Sequence, residues 1–208
     1  MSRTIWRTLV ILGIVVLGAP MALAQERVRV RGTIDRVEGD TYVVKARNGD
    51  ELKVKLAEKA GISAVIAATL ADIKPGTYVG IAGMPQADGS QRALEVLLFP
   101  EAMRGVGDGH YGWDLQASST MTNGNVEQSA VSTDGQVLTI KYKDGEKKIV
   151  VPPGIPIVAF AAGDKEELKP GAKIFIAAAI KQPDGTLQAP RVAVGRGIAP
   201  PMWAALWV

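Results

Sequence analysis

The sequence contains no cysteine, one histidine and few aromatic residues. Without cysteine, the chain has no disulfides, no thiolate metal sites and no cysteine nucleophiles. One histidine cannot build a zinc or iron centre that needs several imidazoles. Of the 208 residues 47% are hydrophobic but only 5% are aromatic, and the 23 Gly and 12 Pro indicate many turns rather than long helices. These absences disfavour most enzyme classes, and we expect a globular protein that is not an enzyme and has no cofactor.

The first 24 residues have the three parts of a secretory signal peptide. Arg3 and Arg7 precede an uncharged run over 9–19, and Ala22 and Ala24 are the small residues that a signal peptidase recognises. An uncleaved membrane anchor is the alternative, but the run is shorter than the roughly 20 residues that a bilayer span requires. The pattern predicts cleavage after Ala24, export to the periplasm and no transmembrane span in the mature chain.

The charge of the mature chain gives no electrostatic reason to bind polyanions. The full sequence has a net charge of +3, and removal of Arg3 and Arg7 with the signal lowers it to +1. Acidic and basic residues are interspersed in the remainder. Nucleic acid and anionic lipid are therefore disfavoured as partners.

The mature sequence contains an internal repeat at a spacing of 95 to 96 residues. Three landmarks recur: 45–54 beside 141–150, 72–76 beside 167–171, and 87–90 beside 183–186. This spacing is too long for a solenoid unit and matches a small domain. The repeat predicts a duplicated domain rather than a repeat array.

Alternation of polar and apolar residues dominates each copy and predicts strands. In the first copy the predicted strands are 27–37, 41–46, 51–56, 77–82 and 93–99, and the Ala-rich segment 60–73 predicts a short helix. In the second copy they are 126–132, 137–142, 147–151, 173–178 and 188–194, with a poorer helical segment at 159–169. Three strands, a helical connection and two strands is the element order of an OB barrel.

The predicted fold is all-β dominant: two tandem OB-like five-stranded barrels, each with a short helix between strands three and four. After the signal peptide at 1–24, we expect the first barrel at 25–99 and a Gly-rich linker at 100–121. The second barrel is expected at 122–196, followed by an apolar tail containing tryptophan at 197–208. Each copy is long enough to hold a modest core without disulfides.

Several of these residues resemble those of a known group of proteins. The doubled pattern, the Lys-Pro-Gly before the fourth strand of each copy, Trp113-Asp114-Leu115 and the run 119–124 are similar to exported bacterial proteins with a duplicated OB-like domain of unknown function. The resemblance implies a periplasmic location and a β-rich fold. It implies no activity and no site residues.

The linker is the first candidate site, since it holds the only histidine. Met103, His110 and Met121, with Trp113 beside them, have the thioether and imidazole ligands that suit Cu(I) or another soft metal ion. The alternative, which we favour, is that His110 and the aromatic residues of the linker pack it against the groove between the two barrels.

The barrel faces are the second candidate site. Tyr42 and Tyr142 lie in the second strands with Lys45 and Lys141 nearby, as in barrels that bind oligonucleotides or glycans by stacking and charge. The interspersed acidic residues and the export signal argue against a nucleic acid ligand. A binding role without an identified ligand is the simpler hypothesis.

The C-terminal tail is a candidate docking segment. Residues 197–208 carry no side-chain charge and include Trp203 and Trp207. We expect the tail to dock on this protein, on a partner or at a membrane interface, because exposed it would form a large apolar patch. The sequence as a whole predicts a periplasmic binding or scaffolding protein whose partner is an unknown periplasmic protein or a small ligand.

Overall fold

The computed structural model describes residues 26–201, and these residues form an all-β protein, which confirms the predicted class. The signal peptide, its cleavage site, Trp203 and Trp207 lie outside the described residues. The strands are β1 Arg27–Glu38, β2 Thr41–Ala46, β3 Glu51–Ala67, β4 Tyr78–Pro85, β5 Gln91–Leu98, β6 Gly109–Gly112, β7 Thr120–Ser132, β8 Gly135–Tyr142, β9 Gly145–Val151, β10 Ile157–Ala162, β11 Lys173–Lys181 and β12 Leu187–Gly195. Three single-turn 3-10 helices connect them at Leu70–Asp72, Glu101–Met103 and Lys165–Glu167.

The alternating sequence pattern accounts for which faces are buried. On β1, Val30 and Ile34 are each 1% exposed, whereas Arg27 and Arg29 are exposed on the opposite face. Successive side chains of a strand point to opposite faces, so a polar residue at every second position leaves one continuous apolar stripe.

The helix predicted at 60–73 is wrong over most of its length. Strand β3 continues to Ala67, and only Leu70–Asp72 is helical, capped by reciprocal contacts between Thr69 and Asp72. The second half of β3 pairs with β10 on one edge and with β12 on the other. Because both edges are paired, the inter-strand hydrogen bonds override the helix propensity of alanine. The segment predicted as helical at 159–169 likewise contains strand β10 and one 3-10 turn.

Five strands close into a first circuit in the order β1, β2, β3, β12, β11. The contact between β3 and β12 is parallel and the other four are antiparallel. The interior is filled by aliphatic side chains and one tyrosine, including Val30, Ile34, Tyr42, Val44, Val54, Ile174, Ile176, Leu187 and Val194. Closure leaves this sheet without a free edge in the circuit.

The strands β7, β8, β9, β5 and β4 form a second circuit with the same order of connections. It closes through a short parallel contact in which Gln91 and Arg92 of β5 lie beside Ile149 and Val150 of β9. Its core is a separate cluster that includes Ile73, Val79, Ile81, Val96, Val126, Leu138, Ile140, Ile149 and Val151.

Each circuit takes strands from both halves of the chain, so the predicted tandem arrangement, with one barrel per copy, is not confirmed. Strands β1 to β3 are closed by β11 and β12, whereas β7 to β9 are closed by β4 and β5. An antiparallel ladder between β3 and β10 joins the two circuits, with Val65 opposite Phe160 at its centre. Strand β10 also lies parallel to β5.

A glycine permits a close strand crossing in each circuit. A Cβ built on Gly32 would lie 2.6 Å from the carbonyl oxygen of Lys45, and one on Gly124 would lie 2.4 Å from that of Lys141. Real Cβ atoms essentially never approach backbone this closely, so the neighbouring strand would have to move. Gly112 is a contrasting strand glycine, because a Cβ there would contact no atom within 4 Å.

We predict that Gly124→Ala destabilises the protein by about 1 to 3 kcal/mol, the usual range for forcing an extra methyl group into a packed interior. The control Gly112→Ala should change the free energy of unfolding by less than about 0.5 kcal/mol, because its new methyl group faces open space. Urea unfolding of both variants and of the wild type measures the difference. Equal stabilities of the two variants would contradict the crossing.

Candidate functional site

A cavity of about 520 Å³ lies where the two circuits and the linker meet, and we call it the central cavity. Its wall combines three parts of the chain. The first circuit and β10 contribute Arg27, Arg29, Ser63, Phe160, Phe175, Ala177, Ala178, Arg191, Val192 and Ala193. The second circuit contributes Gly80, Leu97, Met121 and Asn123, and the segment after β5 contributes Phe99, Met103, Val106, Gly107, Tyr111 and Trp113. Pro201, the last described residue, also lines it.

Aromatic rings pack edge to face along the wall. The ring of Phe99 lies 5.5 Å from that of Tyr78 and 5.6 Å from that of Phe160, and the rings of Tyr111 and Trp113 are 6.2 Å apart. These separations and tilted planes are the favoured geometry of aromatic pairs. The rings therefore form a preorganised apolar surface.

Trp113 and Asp114 connect the linker to β1 of the first circuit. The guanidinium of Arg29 lies 4.1 Å from the centre of the Trp113 ring, a cation–π contact. The Asp114 carboxylate pairs with Arg31 at 2.8 Å and with Arg29 at 3.3 Å. Burial alone would raise the pKa of Asp114, but the two arginines outweigh it and lower that pKa below its usual value. Asp114 is therefore a fixed anion that holds Arg29 in the cavity wall and also pairs with Arg31.

The linker is attached to the second circuit at several points. The Asp108 carboxylate accepts a hydrogen bond of 2.6 Å from the backbone N–H of Lys143, and its other oxygen lies 3.3 Å from the Tyr78 hydroxyl. Burial, and then the charge of Asp108, raise the pKa of Tyr78. Arg104 donates to Glu101 and to the carbonyl of Gly76. These contacts fix the linker as part of the cavity wall.

Asn123 is enclosed between two glycines. A Cβ on Gly80 or on Gly107 would lie 2.7 Å from the Asn123 side-chain amide, and Gly107 has a φ of +64°. The amide nitrogen donates to the carbonyl of Val106, whereas Asn123 Oδ1 and Trp113 Nε1 are buried with no hydrogen-bond partner among the described residues. An unpaired buried polar group costs about 1 to 3 kcal/mol, which a water molecule or a polar ligand group would relieve.

The three residues predicted to bind a soft metal ion are not brought together. Met103 and Met121 line the central cavity. In the pairing of β6 with β7, Tyr111 lies opposite Met121 and His110 opposite Thr122, so His110 is on the other face of this ribbon. The imidazole Nδ1 is 2.8 Å from the Thr122 hydroxyl. Within residues 26–201 there is also no cluster of three or more His, Asp or Glu side chains suited to a metal ion.

The four residues predicted to bind a ligand on the barrel faces are also separate. Tyr42 is 5% exposed and belongs to the interior of the first circuit, where burial raises its pKa. Tyr142 is half-buried and stacks on His110 with ring centres 6.2 Å apart. Lys45 and Lys141 are exposed, Lys45 on β2 of the first circuit and Lys141 on β8 of the second. Tyr42 is thus a core residue because its position in the alternation faces inward.

Several wall residues were not identified from the sequence. Arg27, Arg29 and Arg191 lie on an outward strand face. Phe99, directly after β5, and Phe160 on β10 are distant in the sequence and meet only in three dimensions. The alternating arginines of β1 were a visible signal, but the sequence does not show which strand face meets the second circuit.

Comparisons with known proteins leave the chain without a recognised relative: no family model matches it, and no curated protein or solved structure is significantly similar to it. Among residues 26–201, no helix has the length and apolar character that a membrane crossing requires.

We predict that His110 makes folding stability fall as the pH is lowered from about 7.5 to about 5.5. Burial, and then the charge of Lys147, lower the pKa of His110 in the folded state. The unfolded state therefore binds the proton more readily, and the free energy of unfolding decreases as the pH falls through about 6.5. Urea unfolding at both pH values should show this loss in the wild type and not in His110→Asn. An identical pH dependence in the two proteins would contradict the assigned environment.

Proposed function

We propose that this protein is an exported, non-catalytic binding protein whose ligand is a small and largely apolar molecule held in the central cavity. The observation that carries the proposal is the cavity itself, lined largely by aromatic and aliphatic side chains from both circuits and from the linker. Its volume of about 520 Å³ falls within the range of known small-molecule sites.

The rigidity of the wall favours a ligand-binding site over a mere gap in the packing between the two circuits. Phe99, Phe160 and Trp113 are held by ring contacts, and the linker that carries Trp113 is fixed by Asp108 and Asp114. A preformed site loses little conformational entropy when a ligand enters. When a ligand covers apolar surface that is open to solvent in such a site, the burial of that surface stabilises the complex.

The chemistry of the wall supports a binding role rather than catalysis. The ionisable side chains among its described residues are three arginines and Tyr111, and burial raises the pKa of that tyrosine, which keeps it neutral. A nucleophile and a general base within hydrogen-bond reach are the usual requirements for hydrolytic chemistry. His110 faces away from the cavity.

The duplication inferred from the sequence is part of this proposal. Both circuits connect their strands in one order, and the order, with a parallel contact between the third and fifth strands, supports an OB-like barrel for each. Corresponding bulges occur after Ile34 and Val126. Corresponding capping boxes occur at Thr69 and Asp164, which are 95 residues apart. Export rests on the signal pattern of residues 1–24.

Binding of a neutral fluorescent probe tests the proposal. N-phenyl-1-naphthylamine, whose emission rises in apolar surroundings, should bind the purified mature protein and saturate at one probe per chain. Ala177→Phe places a large side chain at an exposed alanine of the cavity wall and should weaken probe binding roughly tenfold by occupying the space. Ala130→Phe, at an exposed position on β7 that is not part of the wall, is the matched control and should bind as the wild type does.

Two results would overturn the proposal. One is failure of the wild type to bind the probe, and the other is equal binding of the probe by Ala177→Phe and by the control Ala130→Phe. A chain ending at Pro201 adds a third comparison, because Pro201 lines the cavity and the uncharged residues 202–208 follow it. If only this shortened chain bound the probe, the C-terminal segment would be the occupant in place of a small ligand.

A further inference from the structure

We infer that the central cavity selects amphiphilic anions, molecules with an apolar body and a single acidic group such as a carboxylate. This inference rests on the proposed function and specifies its ligand class. It depends on a difference between the two sides of the cavity.

The first circuit presents a basic wall with a floor of small residues. Arg29 lies between Val28 and Val30, whose partners on β11 are Ala179 and Ile176, so it lies opposite Ala177 and Ala178. On the far side of β11, β12 pairs through Gln188 with Ile180 and through Ala193 with Phe175, which places Arg191 opposite the same two alanines. Two strand spacings, about 10 Å, therefore separate the backbones of Arg29 and Arg191. Arg27 lies two residues before Arg29 on the same face of β1, opposite Ile180, so Arg27 and Arg191 flank the alanine floor from its two sides.

Two of the wall arginines have no anionic partner. Arg29 is paired with Asp114 and stacked on Trp113. Arg27 and Arg191 form no ion pair or side-chain hydrogen bond within the described part of the chain, and the described wall residues include no Asp or Glu. The wall thus carries an uncompensated positive charge beside apolar surface, where the attraction for an anion is stronger than in open water.

The opposite wall is mostly apolar. The second circuit contributes Gly80, Leu97 and Met121, with Asn123 as its polar residue, and the segment after β5 adds Phe99 and Tyr111. Burial of an apolar body against this side stabilises the complex. The acidic group of the same molecule accepts charge-assisted hydrogen bonds from guanidinium groups on the other side. A neutral apolar molecule makes only the first set of contacts, and a simple inorganic anion makes only the second.

Displacement of bound N-phenyl-1-naphthylamine by matched aliphatic compounds tests the inference. Dodecanoate should displace the probe at a concentration about tenfold lower than dodecanol does. One charge-assisted hydrogen bond from a guanidinium to the carboxylate stabilises a complex by at least the free energy that corresponds to a tenfold change in affinity. Dodecylamine and acetate should each compete more weakly than dodecanol. The double variant Arg27→Gln with Arg191→Gln should lose the preference for dodecanoate and keep the affinity for dodecanol.

The matched control is Arg92→Gln, which removes an exposed arginine of β5 outside the cavity wall and should retain the preference. Equal displacement by dodecanoate and dodecanol, or retention of the preference in the double variant, would overturn the inference while leaving the proposed function intact. Displacement by acetate at the concentration of dodecanoate would show a simple anion site and would also overturn it. Failure of the probe itself to bind would instead contradict the proposed function.

Discussion

Strands β1 to β3 form one three-stranded unit, and β7 to β9 form another. Each unit has two open edges, and strands from the other half of the chain close both of them. Strand β1 pairs with β11 and β3 with β12, while β7 pairs with β4 and β9 with β5. Unpaired strand edges leave backbone N–H and C=O groups without partners, so neither circuit is complete without the other half. The same exchange holds the circuits side by side through the ladder of β3 and β10, and the central cavity lies at their junction.

Ten of the twelve strands among the described residues were predictable, at least in part, because alternation and turns are local signals. Strand β6 lies in the segment predicted as a linker, and β10 overlaps the segment predicted as helical. The strand partners were not predictable, since β4 and β11 carry similar patterns and either could close β1. The error at 60–73 has a related cause. Alanine favours helix in isolation, but Ala64 and Val65 are fully buried between paired neighbours, and tertiary pairing decides their conformation. Local sequence patterns thus predicted most of the strands, and contacts between distant segments decided the remaining ones and the assembly.

The candidate site was predictable only in its linker. The concentration of unusual residues around Trp113 marked the correct segment, and Met103 and Met121 line the cavity. The chemistry assigned to them depended on His110, which the two-residue period of β6 turns to the other face. The arginines are informative only once β1 and β12 are known to flank β11. A surface alternation of charge looks the same whether it faces solvent or another barrel.

Engineered disulfides test the exchange of strands between the two halves directly, because the chain has no cysteine of its own. Thr33 lies opposite Lys173 across β1 and β11. In a tandem barrel the offset of 95 residues at this landmark would place Tyr78 opposite Thr33 instead. Oxidation of the monomeric protein should cross-link Thr33→Cys with Lys173→Cys, as read by peptide mass mapping, and should leave Thr33→Cys with Tyr78→Cys reduced. Cross-linking of the second pair and not the first would contradict the exchange.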